Sequence, residues 1–447
     1  MEKVLIANRG EIAVRAIRAC RELGLATVAV HSTADEGALH VRQADEAVCI
    51  GPPHARQSYL NVEAILEAAR RTGVDAVYPG YGFLAENAAF AAACRDENLV
   101  FVGPSPEAIE AMGDKARARQ VAAAAGVPTI PGTDGKASLE EALEAAAEIG
   151  YPVLVKAAAG GGGRGIRAAR DETELAGVIA RAAAEAGAAF GDDGVYLEKL
   201  LVGARHVEVQ VLGDSQGNLV HLFERECSLQ RRRQKLLEEA PSPALDAATR
   251  EAMAGAALRL ARAARYENAG TVEFLLDRDG AFSFIEMNTR IQVEHPVTEL
   301  VTGVDLVREQ LSIAGGAPVS VRQDELVLSG AAIEVRINAE DPERDFLPSP
   351  GEITALELPR GPGVRVDTAA YAGYTVPPFY DSLIAKLCCH GRDRAEALER
   401  TRRALEEFSI EGIHTTVPFH RELLDDDAVQ AGEYDVEYLE RRSVSVR

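Results

Sequence analysis

No Cys-x-x-Cys pair occurs in this chain, although it holds six cysteines, Cys20, Cys49, Cys94, Cys227, Cys388 and Cys389. Scattered through apolar contexts, they fit reduced, mostly buried thiols, which predicts a cytoplasmic compartment. A basic lead followed by an apolar run is missing from MEKVLIANRGEIAV, and no uninterrupted apolar stretch is long enough to span a bilayer. A soluble protein is expected. Positive charge is in short supply too, with 48 Lys+Arg against 70 Asp+Glu and a net charge of −22. Most of such a surface repels phosphate backbones and anionic lipids, so neither nucleic acid nor a membrane is expected as a partner. What is present is an ordinary globular composition: 447 residues, 47% hydrophobic and 26% charged. Size alone suggests roughly two to four domains.

Three segments follow from pattern, giving a multidomain protein of mixed α/β and α+β class. From residue 1 to about 113, short β-branched runs (VLIAN, ATVAVH, DAVYPG, LVFVGPS) alternate with Ala/Arg/Glu-rich helical stretches. That is βαβ punctuation, which predicts a doubly wound α/β domain with a parallel sheet. Only Gly10 stands where a dinucleotide fingerprint would carry its glycines, so a nicotinamide-type site is not expected there. The turn VYPGYGFLAEN, Val77 to Asn87, falls at the C-terminal end of a strand, where it is either part of a ligand site or a rigid turn. A second segment, 114–314, opens with the linker-like PGTDGKAS, then a helix ending at Gly150, the strand YPVLVKA and the strand IRAARD. The third, 329–447, holds β-rich runs (AAIEVRINAE, GEITALELP, GVRVDTA, SLIAKLCCHG) and ends in Arg-rich helices.

KAAAGGGGRG, Lys156 to Gly165, satisfies the letters of G-x-G-x-x-G, but a dinucleotide loop must open a helix and IRAAR reads as strand. No Gly-Lys-Ser/Thr closes the run, so it is not a P-loop either. What remains is a strand–flap–strand hairpin. Its tip, with Gly161, Gly162 and Gly163, can lay bare N–H groups on a polyphosphate, and Lys156 enters it as a cation. The plainer alternative is a flexible tip with no ligand, against which stands the conformational entropy that four consecutive glycines cost.

A polyphosphate calls for a hard cation with oxygen ligands. TVEFLL and FSFIEMN are two strands joined by the hairpin signal DRDG, so Glu273 and Glu286 can face each other, with Asn288 on the Glu286 face. Two carboxylates and an amide oxygen suit Mg²⁺ or Mn²⁺; a wet outer face is the bland alternative. The alternation is read as continuing through Arg290, Gln292 and Glu294, which would put five polar groups on one side. In RHVEVQVL, His206, Glu208 and Gln210 alternate with valines, which alone is an amphipathic strand. ERECSLQRRRQK gathers Arg231, Arg232, Arg233 and Lys235, either a solvated basic turn or an anion-binding patch.

Taken together, MGDK, KAAAGGGGRG, HVEVQV, QRRRQK, TVEF, FIEMNTRIQVEHPVTE and EVRINAED resemble the biotin carboxylase family of the ATP-grasp superfamily. The likeness runs from IANRGEIA to YAGYTVPPFYDS and beyond, nearly the whole chain. It implies an N-terminal α/β domain (1–113), an ATP-grasp domain (114–314) whose glycine-rich lid spans about 131–204, and a C-terminal domain (329–447) that completes the site. By this resemblance Lys115 and Lys156 contact ATP phosphates, Glu198, Lys199 and Leu201 frame the adenine, and His206 and Gln230 lie near the ribose and phosphates. Glu273, Glu286 and Asn288 would hold the metal; Arg290, Gln292 and the Val293 backbone would bind bicarbonate, with Lys235 nearby. Glu294 would be the general base that lets bicarbonate attack the γ-phosphate to give carboxyphosphate and ADP. Arg336 would stabilise the enolate oxygen of biotin after phosphate takes its N1′ proton. Beside Arg290, Glu294 is expected to stay ionised.

Two positions depart from the family pattern. The flap has four glycines after AAA, where relatives often have five after a Ser, and Arg233 stands where His is frequent. Within the superfamily the rival is a ligase that activates a carboxylate for an amine; Arg290, Gln292, Glu294 and Arg336 argue for bicarbonate and biotin instead. A non-catalytic nucleotide-binding scaffold is the rival of another class, and retention of every chemical group opposes it. Met occurs only at 1, 112, 253 and 287, so no A-M-K-M-type biotinyl-lysine is present. The carrier is then expected on another polypeptide, or on a longer parent if this chain is a fragment, and the resemblance implies a biotin carboxyl carrier protein and carboxyltransferase subunits as partners, most simply of an acetyl-CoA carboxylase. A homodimer is implied as well, with Arg18, Glu22 and Arg365 near its contact.

Overall fold

In a computed structural model, which describes residues 1–133, 135–157, 166–190 and 193–445, the N-terminal alternation resolves into a five-stranded parallel sheet. Its strands are β1 (Lys3–Ile6), β2 (Ala26–Ser32), β3 (Glu46–Gly51), β4 (Ala76–Tyr78) and β5 (Val100–Phe101), in the order β3-β2-β1-β4-β5. Helix α1 (Gly10–Glu22) covers it with Ile12, Ala13, Ala16 and Ile17, the buried stripe of a 3.6-residue period. Strand order reverses at β1, so the crevice beyond the ends of β1 and β4 is the switch point. Asn8, just past β1, donates from Nδ2 to the carbonyls of Pro79 and Tyr81, each at 2.7 Å, and so ties down the turn after β4. Gly80 in that turn has φ +63°, and a Cβ on it would stand 3.1 Å from both Asn8 Nδ2 and Ile12 Cγ1. No larger residue fits there without strain.

Helix α2 (Lys115–Ala124) leads toward a three-stranded antiparallel sheet of β6 (Val153–Ala157), β7 (Ile166–Ala169) and β8 (Val195–Lys199). Before it, α3 (Leu139–Ile149) starts on a reciprocal capping box of Ser138 and Glu141 and stops at Gly150, φ +78°. Strand enters and strand leaves the glycine run, with Lys156 paired to Ile166. Its tip, with Ala159 and the expected phosphate-binding Gly161, Gly162 and Gly163, lies outside the described residues.

The largest sheet has eight strands: β9 (Arg205–Gly213), β10 (Leu219–Arg231), β11 (Gln234–Ala240), β12 (Asn268–Leu276), β13 (Phe282–Asn288), β14 (Ala331–Asn338), β15 (Val364–Thr368) and β16 (Leu383–Gly391). They run in the order β13-β12-β9-β10-β11-β14-β16-β15. Because β11 pairs antiparallel with β14, opposing Glu238 to Glu334, the sheet is continuous from the central segment into the C-terminal one. One face of β9 and β12 (Val207, Val209, Val211, Val272, Phe274) packs on Met253, Ala256 and Leu260 of helix α4 (Ala247–Ala263). The opposite face of β9 is also buried, with Glu208 and Gln210 at 0% exposure, so its polar groups must find partners inside the protein.

One expectation is corrected here. The polar alternation from Glu286 does not continue to Glu294 as a strand: β13 ends at Asn288, the chain loops, and Glu294 is the N-cap of helix α5 (His295–Thr302). Pro296 in the first turn is suited to a helix start and cannot serve a strand ladder. Among the described residues no helix is long and apolar enough to cross a membrane. All six cysteines are free thiols, and of them only Cys49 is exposed.

Candidate active site

The polar face of β9 is where the functional side chains meet. Glu208 accepts from Arg225 Nε at 2.6 Å through one oxygen and from Lys235 Nζ at 2.6 Å through the other. Lys235 Nζ also donates to Glu294 Oε1 at 2.5 Å and lies 3.4 Å from Glu273 Oε1. Its ammonium thus sits among three carboxylates contributed by β9, β12 and the start of α5. Arg336, on β14, closes the other side: Nε donates to Glu238 at 2.6 Å and Nη2 to Glu294 Oε2 at 2.9 Å. Glu238, wholly buried, is pushed up to about 7 by that burial, with Arg336 pulling the other way.

Glu294 is 2% exposed. Burial by itself would raise its pKa, but Lys235, Arg336 and Arg225 outweigh burial and hold it well below the ordinary carboxylate range. It is ionised at neutral pH, as expected, though not for the reason expected. Arg290 makes its direct ion pair elsewhere, from Nε to Glu86 at 2.8 Å, and donates from Nη2 to Asn288 Oδ1 at 2.9 Å. Glu86 also accepts from the Thr289 backbone N–H at 3.1 Å. The N-terminal turn Val77–Asn87 therefore reaches the site through Glu86, which holds the loop after β13.

Glu273 and Glu286 are direct cross-strand partners on β12 and β13, as the hairpin reading predicts. Glu273 Oε1 accepts from Asn288 Nδ2 at 2.7 Å and Gln292 Nε2 at 2.8 Å, while Oε2 lies 3.0 Å from His206 Nε2. Lys235 and His206 overcome the upward push of burial and keep this carboxyl low, and Glu273 in turn raises the His206 imidazole. Glu286 stands 3.1 Å from Lys115 Nζ at the first turn of α2. Two hard carboxylates and an amide on one hairpin, each balanced by a movable cation or amide, are a donor set suited to Mg²⁺ or Mn²⁺.

The residues expected around a nucleotide are spread over several elements. Lys156 on β6 pairs with Glu198 on β8, whose other oxygen takes Arg119 Nη1 at 2.7 Å. Lys199 turns the other way, onto the carbonyls of Gly150 and Tyr151 at 2.9 and 3.0 Å. Leu201 is half-buried just after β8, and Gln230 lies opposite Lys235 across the β10–β11 hairpin. Of the basic run, Arg231 and Arg232 are taken up by Asp345, Arg231 also lying 4.2 Å over the Phe346 ring. Arg232 and Arg233 turn the hairpin with φ +48° and +66°. Lys235 is the member of the run that enters the cluster.

Arg225, like Glu86 and Glu238, is a site residue that sequence reading misses. It is fully buried and spends all five N–H donors: on Glu208, on Gln210 Oε1 at 2.8 Å, on Thr298 and Thr271 hydroxyls at 3.0 Å each, and on Gln292 Oε1 at 2.7 Å. The guanidinium thereby fixes the Gln292 amide while Glu273 takes its other end. The available signal was an arginine in the middle of FERECSL, a run long enough to be a buried strand. Glu208 carried a similar signal within the β9 stripe, whose polar side proves to be interior rather than wet.

Comparison with known proteins meets this geometry. Three family descriptions match in succession: "Biotin carboxylase, N-terminal domain" over residues 1–109, "Carbamoyl-phosphate synthase L chain, ATP binding domain" over 114–322, and "Biotin carboxylase C-terminal domain" over 334–441. Biotin carboxylase 1 of Bacillus subtilis is 57% identical over 446 residues, 99% of each chain. The biotin carboxylase of Campylobacter jejuni, solved as a β-γ-ATP complex, superposes with TM-score 0.96 at 48% identity, covering 98% of each chain. The biotin carboxylase domain dimer of Hydrogenobacter thermophilus 2-oxoglutarate carboxylase, solved with MgADP, ADP and bicarbonate, gives TM-score 0.94 at 48% identity over 99% of this chain and 98% of that one. A ligase that activates some other carboxylate for an amine is not favoured by these matches. With its three-segment architecture and its ATP-grasp core, the chain belongs to the biotin carboxylase family of ATP-dependent ligases.

Proposed function

We propose that the cluster around Glu294 carries out the first half-reaction of a biotin-dependent carboxylase, the ATP- and bicarbonate-dependent carboxylation of biotin. Bicarbonate lies against Arg290, the Gln292 amide and the Val293 N–H. Glu294, kept ionised by Lys235 and Arg336, takes its proton. The bicarbonate oxygen attacks the γ-phosphorus of ATP, the bond to the β-phosphate oxygen breaks, and carboxyphosphate and ADP result. Lys235 offsets charge on the bicarbonate side. Lys115 and Lys156, which now rest on Glu286 and Glu198, are the cations for the phosphates, and Glu198, Lys199, Leu201, His206 and Gln230 line the nucleotide. Mg²⁺ or Mn²⁺ held by Glu273, Glu286 and Asn288 supplies charge neutralisation for the polyphosphate. Carboxyphosphate decomposes to CO₂ and phosphate; phosphate removes the N1′ proton of biotin, and the Arg336 guanidinium steadies the resulting enolate oxygen, which leaves N1′ free to attack CO₂. Exclusion of water protects the labile intermediate.

The observation that carries this reading is Glu294, a buried carboxylate held ionised between a lysine and an arginine and adjoining the loop of Arg290, Gln292 and Val293. Confinement of this kind keeps the group in the deprotonated form that a general base needs, at some cost in basicity. We further assign the biotin to a separate carrier protein and the final transfer to carboxyltransferase subunits, as in acetyl-CoA carboxylase. A homodimer is supported by the dimer in which the Hydrogenobacter thermophilus domain was solved; Arg18, Glu22 and Arg365, the residues expected near such a contact, line one surface depression together with Arg15 and Glu299. A cytoplasmic site of action is supported by six free thiols. The test is ADP release with Mg²⁺, ATP and bicarbonate, with and without free biotin, beside Glu294→Gln. Biotin-stimulated, bicarbonate-dependent turnover that collapses in the variant is expected; stimulation by an amine instead would overturn the substrate assignment.

A further inference from the structure

Beneath the loop of residues 289–294 lies Lys386, a lysine with 0% exposure in the middle of β16. Its neighbours on the strand, Ala385 and Leu387, belong to the apolar core, so the ammonium emerges on the opposite, polar face. It stands directly opposite Arg336 on β14 and directly opposite Asp367 on β15, one rung of the large sheet. From that rung two cations rise to two consecutive residues of the loop. Arg336 Nη2 donates to the Glu294 carboxylate at 2.9 Å, and Lys386 Nζ donates to the Val293 carbonyl oxygen at 3.0 Å.

The same ammonium lies 3.1 Å from Glu11 Oε1 on α1 and 4.0 Å from Asp367 Oδ2. One buried charge therefore joins the N-terminal domain, the loop and the C-terminal strands. Burial works against the charged form, yet Glu11, Glu334 and Asp367 outweigh it and hold the group protonated, so it is a permanent donor. The preceding carbonyl, of Gln292, is also taken from within the protein, 2.7 Å from His295 Nδ1. With two successive carbonyls pinned this way, the orientation of the intervening peptide planes is set, and among the described residues no acceptor meets the Val293 N–H.

We propose that Lys386 is a positioning residue for the bicarbonate half of the site: His295 holds the Gln292 carbonyl of the peptide plane that carries the Val293 N–H, and Lys386, by gripping the Val293 carbonyl, fixes the next plane, so that the two contacts together hold Val293 with its N–H toward the anion. The proposal rests on the reading above that bicarbonate binds against this N–H. A buried ion pair with no such role would act on fold stability and on every substrate alike, whereas a peptide-setting contact acts on bicarbonate first.

The test is steady-state ADP release by the full chain with free biotin, for wild type, for Lys386→Met, and for Lys386→Met combined with Glu11→Gln, which avoids leaving the Glu11 carboxylate buried without its cation. A cooperative thermal transition establishes folding of each variant; if neither methionine variant folds, Lys386→Gln, whose amide falls one bond short of the Val293 carbonyl, is read in their place. The expected result is a bicarbonate KM raised roughly tenfold or more, with the ATP KM within about twofold of wild type. Equal shifts in both KM values, or a fall in kcat with both unchanged, would overturn the positioning role. A wild-type enzyme whose ADP release needs no bicarbonate would instead overturn the reading of the site itself, and this assignment with it.

Discussion

Glu294 and Arg225 make opposite uses of a buried charge. Glu294 carries a negative charge that a proton has to meet, and its neighbours keep it available. Replacement by Gln preserves shape and removes the base, so kcat for ADP formation is expected to fall about 10²- to 10⁴-fold with the thermal midpoint little changed. Because its folded pKa is depressed, protonation of Glu294 should not limit the rate anywhere near neutrality; a profile of kcat/KM against pH should show no acid limb from this group above about pH 5. Arg225 touches no expected substrate atom and instead orders Glu208, Gln210 and Gln292. Arg225→Ala leaves the Glu208 carboxylate dependent on Lys235 alone, and a loss of roughly 3–5 kcal/mol in stability by denaturant titration is expected.

At the level of elements, the site is assembled from edges and ends. Strands β9, β12 and β13 supply a polar face, the N-cap of α5 supplies Glu294, and the turn after β4 supplies Glu86. That turn is held by Asn8 and depends on Gly80 having no Cβ. Gly80→Ala must be accommodated at positive φ against Asn8 and Ile12, and a destabilisation of about 1–3 kcal/mol is expected from chemical denaturation. Gly82→Ala, also at positive φ but with open space around it, serves as the milder control. The hairpin β12–β13 was readable from TVEFLL-DRDG-FSFIEMN, since period two and a turn signal suffice to oppose Glu273 to Glu286. The stretch beyond Asn288 was not, because polar and apolar residues alternate equally well in an irregular loop that approaches a helix N-terminus.

For the whole molecule, buried titratable groups set the response to acid. His40 and His420 are fully buried and pushed down to about 4, His420 holding the Arg336 carbonyl from Nε2 at 2.8 Å; His295 is driven well below its usual range by burial. Each binds its proton more readily when unfolded, near pH 6.5, so the stability they contribute is present above that pH and is lost as pH falls toward the folded values. Glu273, Glu294 and Asp367, all depressed, add a further loss below about pH 4.3. His206, raised by Glu273 against burial, contributes stability that is fully present below about pH 6.5 and is lost as pH rises through its folded value, while Glu11, Glu226, Glu238 and Glu334, raised by burial, oppose the histidines by contributing more as pH falls toward about 4.3. With these opposed between about pH 6.5 and 4.5, the thermal midpoint is expected to change little there and to fall steeply below about pH 4.3; a midpoint that holds level down to about pH 3 would contradict it.

Sequence alone determined the local grammar: parallel βαβ units, a glycine-bearing hairpin, a carboxylate-bearing hairpin, and a motif set specific enough to state a family. These are contained in short windows, where periodicity, turn chemistry and residue type act between near neighbours. Tertiary structure decided which charges meet. Glu86 finds Arg290 across 204 positions, Lys386 finds the Val293 carbonyl across 93, and Arg225 gathers partners from three elements and a loop. In a chain of net charge −22, each such cation has many candidate carboxylates. The choice falls to whichever the sheet register places within about 3 Å in a dry interior, where an unpaired charge costs most.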